Sequence, residues 1–110
     1  MSKKNYLIIV SEDPFEMPTA RRAGELALQL KRRGHDVALY LVQNGVLASR
    51  SRANSDALTP AIASAVEVMA DDFSMRERGI ESNELRPGVV TAPIDTVVNR
   101  LASGWSTLWT

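Results

Sequence analysis

Cysteine is absent from this chain of 110 residues, and histidine occurs once, at His35. Without a thiol there is no disulfide, no thiolate metal site and no cysteine nucleophile or sulfur carrier. One imidazole cannot build a multi-histidine metal centre within a single chain. Net charge is missing too, because 13 Lys and Arg balance 13 Asp and Glu. That balance removes the basic footprint of a nucleic-acid binder. It also favours self-association, since little repulsion holds copies apart. No apolar run approaches the ~18 residues that span a bilayer. The opening Met1-Ser2-Lys3-Lys4-Asn5 leads directly into a strand-like run, not a signal-peptide core. These absences lead us to expect a cytoplasmic protein with neither nucleic acid nor membrane as partner. Glycine signatures are missing as well: there is no Gly-x-Gly-x-x-Gly and no Gly-Lys-Ser/Thr loop, and no cofactor is implied.

What is present suffices for one core. The hydrophobic fraction is 45%, and the length suits a single domain over residues 1–110. Tyr6 to Val10 is a continuous apolar run, as expected of a strand buried on both faces. Thr19 reads as the N-cap of a helix to about Arg33, with Ala20, Ala23, Ala27 and Leu30 on one face. Glu25, Arg21 and Arg22 fall on its solvated side. Lys31-Arg32-Arg33 complements the helix dipole before Gly34 ends the helix.

Val37 to Val42 reads as a second strand closed by Asn44-Gly45. A short helix is expected after it, then a loop over Ser49 to Ser55. Asp56 or Thr59 caps a helix with Pro60 in its first turn. Val66 to Met69 is a third strand, and Phe73 to Arg78 a short helix stopped by Gly79. Val89 to Thr91 follows the turn Arg86-Pro87-Gly88, a helix from Pro93 runs to about Ala102, and Ser106 to Trp109 closes the chain as a fifth strand. This alternation predicts an α/β domain, a three-layer α/β/α sandwich on a mainly parallel sheet of about five strands.

In such sheets ligand-facing loops lie at the carboxyl ends of the strands. Glu12 and Asp13, Gln43 and Asn44, and Asp71 and Asp72 all map to that edge. Four carboxylates there would suit the magnesium pocket of a receiver domain. The lysine such a site requires near its last strand is missing, since the lysines are Lys3, Lys4 and Lys31. Helix capping accounts for one aspartate of the Asp71-Asp72 pair. Arg76 and Arg78 are placed to pair with Asp72 or to reach a neighbouring subunit. Ser11 and His35 fall at opposite ends of their strands, which argues against a nucleophilic pair, and His35 reads as a surface turn residue. The candidate ligand or partner site is therefore Glu12, Asp13, Asn44, Asp71, Asp72, Ser74 and Arg76, with no catalytic residue and no metal ligand set assigned.

The order of these segments resembles the DsrE/DsrF family of small sulfur-relay proteins. The likeness runs from Leu7-Ile-Ile-Val10 through "ALQLKRRGHDVALYLVQNGV" (Ala27 to Val46) and "VEVMADDFSMRERGI" (Val66 to Ile80) to "ELRPGVV" (Glu84 to Val90). Active members of that family carry a cysteine just after the third strand, eight residues before the glycine of an Arg-Gly or Asn-Gly pair. Counting back from Gly79 gives Asp71. A carboxylate cannot take up sulfane sulfur, which needs a polarisable thiolate. The resemblance thus implies a chain unable to carry a persulfide itself, and no sulfurtransferase activity of its own. It also implies assembly as a homo-oligomer, a trimer or hexamer, or a cysteine-bearing sulfur-relay protein as partner. Trp105 and Trp109, four apart, are expected on one side of a terminal strand, either between subunits or against the last helix. Three functions follow: a non-catalytic subunit or regulator in sulfur transfer, a small-molecule or anion binder using the strand-end loops and the N–H groups of Phe73 and Ser74, and an enzyme using Asp71 or Asp72.

Overall fold

The computed structural model describes residues 3–51 and 57–110. Five strands, β1 (Asn5–Val10), β2 (Asp36–Leu41), β3 (Glu67–Asp71), β4 (Val89–Ala92) and β5 (Ser106–Trp109), form one sheet in the order β4-β3-β2-β1-β5. Every pairing is parallel, so the expectation of a mainly parallel sheet is met in full. Among the described residues four α-helices connect the strands: α1 (Thr19–Arg32), α2 (Thr59–Ala63), α3 (Asp72–Glu77) and α4 (Asp95–Ala102). The chain is a three-layer α/β domain.

Alternation along each strand divides the interior into two cores. On one face Ile8, Val10, Leu39, Leu41, Val68 and Ala70 pack under the alanine stripe of α1 (Ala20, Ala23, Ala27) and against Leu58 and Ala61. On the other, Leu7, Ile9, Ala38, Tyr40 and Met69 meet Val97 of α4, with Trp105 at the margin. β1 and β2 contribute to both cores, which explains why their sequences are unbroken apolar runs. Gly34 takes φ +90° at the end of α1, the left-handed turn expected there.

Several local expectations shift. Thr19 does not cap α1: it is the first helical residue, Pro18 holds the cap position, and no side chain bonds the free amides. Proline at φ −80° already turns the chain into the helix, and the Thr19 hydroxyl is buried without a partner among the described residues. Asp56 lies outside the described residues, as does most of the loop expected after Ser49. Thr59 is inside the first turn of α2, with Leu58 at the cap. The short helix expected from residue 46 is a 3-10 segment, Gln43–Ser49. Its Gly45 sits against the Val10 carbonyl so closely that a Cβ would collide. β3 extends two residues beyond the expected Met69, which makes Asp71 the last strand residue.

His35, half-buried, accepts the Lys4 N–H at 3.1 Å and stands edge-on to Tyr6. Trp105 precedes β5 instead of lying on it, and the Arg100 guanidinium rests 4.5 Å from its ring. Trp109 falls on the same face through its register with Ile9, but is exposed.

Candidate functional site

Asp71 ends β3 and caps α3, and only 4% of its surface is exposed. Both oxygens are engaged. The Tyr40 hydroxyl donates to Oδ1 at 2.6 Å, while Oδ2 accepts the Ser74 hydroxyl at 2.6 Å and the Ser74 N–H at 3.0 Å. The Ser74 Oγ in turn accepts the Gln43 N–H at 2.8 Å. One buried carboxylate thus ties together β2, the 3-10 segment, β3 and α3. Gln43 reaches this position with φ +54°, a left-handed conformation uncommon for a residue with a side chain.

Burial acts to raise the Asp71 pKa, but the Ser74 hydroxyl, the Tyr40 hydroxyl, the Ser74 amide and the nearby Arg76 charge outweigh it. The net result holds the carboxyl below its usual range. The same contact pushes the Tyr40 phenol far up, first through burial and then through its hydrogen bond to Asp71 and the charge beside it. Asp71 is therefore a carboxylate at neutral pH, balanced mainly by neutral donors.

Asp72 behaves differently from its neighbour. It is exposed enough to meet solvent, begins α3, and pairs with Arg76 at 3.5 Å across one helical turn. Arg78 bonds the Asn44 side chain at 3.1 Å and the Ser74 carbonyl at 3.2 Å, fastening the 3-10 segment to α3. A cleft of about 380 Å³ opens over this corner, lined by Val42, Phe73, Pro93 and Ile94 with Asp71, Asp72 and Glu77 on its polar side.

The predicted edge is the observed one, but its carboxylates do not converge. β2 lies between β1 and β3, so the strand that leads into Glu12 and Asp13 runs two strand spacings, roughly 10 Å, from the one that ends in Asp71. Asp13 turns back on its own loop and accepts the Phe15 N–H at 2.8 Å. Among the described residues no group of three or more acidic, His or Cys side chains is placed to hold a metal ion. Asn44, Asp71, Asp72, Ser74 and Arg76 do share one corner. Tyr40 completes it, although its place in the sequence marks it only as a strand residue. The available signal was a hydroxyl-bearing ring within the apolar run Val37 to Val42, since a buried phenol needs an acceptor.

A model of the DsrE/DsrF-like family matches residues 4–110. The chain belongs to the DsrE/DsrF-like family. The resemblance read from the sequence is thereby borne out over nearly the whole DsrE-like domain. Solved structures repeat the fold. The ychN protein from E. coli has a TM-score of 0.85 at 20% identity, covering 99% of this chain and 100% of that one. A conserved protein of unknown function from Bacteroides thetaiotaomicron gives 0.77 at 17% identity, covering 97% and 95%. A protein of unknown function from Methanobacterium thermoautotrophicum gives 0.74 at 17% identity, covering 99% and 100%. At these identities the likeness is one of fold. No curated protein matches the chain significantly.

Proposed function

We propose that this DsrE-like protein is a non-catalytic subunit or regulator in intracellular sulfur transfer, acting in the cytoplasm within a trimer or hexamer or beside a cysteine-bearing relative. The observation that carries the reading is Asp71. It occupies the turn from β3 into α3, eight residues before Gly79, in a chain with no cysteine. An aspartate suits this turn because its carboxylate accepts the free amide of α3. The scaffold is kept while the nucleophilic sulfur is absent, so any persulfide must be carried by another chain. The anion-binding alternative has less support, because the Ser74 N–H already serves Asp71.

The test is native mass spectrometry of untagged protein purified gently from its own cells. The expected spectrum contains a mixed assembly with a cysteine-bearing relative, whose thiol takes alkylating label and sulfane sulfur while this chain takes none. A homo-oligomer with a bound small molecule would transfer the assignment to the cleft beside Asp71. Recovery of this chain alone and unliganded would remove the support for a relay partner.

A further inference from the structure

Asn44 is the one asparagine of the chain that is followed by glycine. In an unstructured chain this pair is chemically labile, because glycine leaves its main-chain nitrogen unshielded beside the asparagine side chain. The fold nevertheless requires glycine at position 45. A Cβ there would collide with the Val10 carbonyl, which also accepts the Val42 N–H at 3.0 Å. Close approach of two chain segments thus imposes the labile pair. The Asn44 side chain is exposed, whereas Gly45 is buried. Three hydrogen bonds hold the pair within the 3-10 segment Gln43–Ser49. The Gly45 N–H donates to the Val42 carbonyl at 2.9 Å, the Gln43 N–H to Ser74 Oγ at 2.8 Å, and Arg78 Nε to Asn44 Oδ1 at 3.1 Å. In this state the Gly45 nitrogen is buried with its proton engaged, and the Asn44 amide is held by a residue just past α3. Gln43, with φ +54°, carries backbone strain that lowers the cost of opening the segment.

We infer that Asn44 is a self-modification site, a spontaneous deamidation held in check by the contacts of Arg78 and Ser74 with this segment. The step needs no reagent but water. The Gly45 main-chain nitrogen attacks the Asn44 Cγ, the new N–Cγ bond closes a cyclic imide, and the Cγ–Nδ2 bond breaks. Ammonia leaves, taking up the proton lost from Gly45. Water then opens the ring at one of its carbonyls. Opening at Cγ restores the main chain and leaves an aspartate at position 44, whose carboxylate keeps Arg78 as a charged partner. Opening at the other carbonyl routes the main chain through Cγ and adds a methylene where Gly45 already touches Val10. That product pulls Gln43 from Ser74 or Gly45 from Val10 and loosens the corner around Asp71. The closed segment does not react, so local opening sets the rate. Asn44 therefore records how often this corner has been open.

The experiment follows the mass of the full chain at mildly alkaline pH, both folded and in urea sufficient to unfold it. Peptide mapping places the modified residue. The folded chain is expected to convert amide to acid at position 44 at least about tenfold more slowly than the unfolded chain. Arg78→Ala and Ser74→Ala each remove a hydrogen bond of the closed segment, and each should speed conversion about three- to tenfold. Hydrogen exchange of the Gly45 amide serves if a variant does not fold by circular dichroism. Its protection in the wild type should match the ratio of unfolded to folded deamidation rates within about threefold. Equal rates in the two states, folded variants that react no faster than wild type, unmatched protection, or conversion confined to another asparagine each overturns the inference. Its failure is separate from that of the sulfur reading, which depends on a cysteine-bearing relative in native extracts.

Discussion

The Tyr40 hydroxyl lies 2.6 Å from Asp71 Oδ1, joining residues 31 positions apart across the centre of the sheet. Tyr40 is fully buried, so its hydroxyl needs an acceptor, and the carboxylate supplies a charged one. Hydrogen bonds to charged groups contribute about 1.5–3 kcal/mol, more than neutral pairs. Tyr40→Phe keeps the ring and removes this bond together with the longer contact of the same hydroxyl to the Ala92 carbonyl at 3.2 Å. Urea denaturation at neutral pH should show a loss of about 1.5–3 kcal/mol. A loss under about 0.5 kcal/mol, typical of a neutral surface change, would mean that water replaces the phenol.

The carboxylate network also sets a pH dependence. The folded Asp71 carboxyl is held below its usual range, whereas the unfolded value is about 3.9. Its stabilisation is therefore complete above about pH 4 and is lost as pH falls through the lower folded value. Asp71→Asn removes the charge and preserves the shape. The variant should be less stable than wild type by about 1–3 kcal/mol at pH 7, with the gap narrowing at pH 3. Paired urea melts at the two pH values check this. An equal gap at both would show that charge is not what the Asp71 donors recognise.

Gln43 gives a prediction of opposite sign. Its left-handed backbone, φ +54°, costs an ordinary residue roughly 1–2 kcal/mol, partly offset in glycine by about 0.5–1 kcal/mol of chain entropy. The Ser74 hydroxyl is held by the Gln43 main-chain N–H, which glycine retains. Gln43→Gly should accordingly stabilise the fold by about 0.5 kcal/mol. Thermal melting of the two proteins decides it, and a lower melting temperature would assign a packing role to the Gln43 side chain.

Strands were the most legible part of the sequence, because Tyr6 to Val10 and Val37 to Val42 are apolar on both alternating faces and the sheet buries both. Strand order was less legible, since periodicity carries no information about neighbours. That is why Glu12 and Asp13 were grouped with Asp71 although β2 intervenes. The carboxyl edge itself followed from the βαβ alternation alone. Thr19 misled because a hydroxyl before an alanine stripe looks like a cap, whereas Pro18 performs the turn. Asn44-Gly45 signals a turn, and the closeness of Gly45 to the Val10 carbonyl explains why a residue without a Cβ stands there. Tyr40 was missed because its partner is distant in the chain, beyond the range of any local pattern.

At the opposite edge, Arg100 secures α4 to the sheet. Both of its terminal nitrogens reach Glu67 oxygens at 2.9 Å, and its guanidinium lies 4.5 Å from the Trp105 ring. The carboxylate is partly exposed, so the ion pair alone is worth little more than about 1 kcal/mol. Stacking on tryptophan adds about 0.5–1 kcal/mol. Arg100→Lys keeps the charge but loses the two-pronged geometry and the planar stack. Glu67→Gln should therefore lower stability by no more than about 1 kcal/mol, and Arg100→Ala by about 1–2 kcal/mol. Arg100→Lys should fall close to the alanine variant. Denaturation of the three proteins alongside tryptophan fluorescence in a Trp109→Phe background, where Trp105 is the one emitter, measures both contributions. If Arg100→Lys behaves as wild type, charge rather than geometry holds the last helix to the sheet.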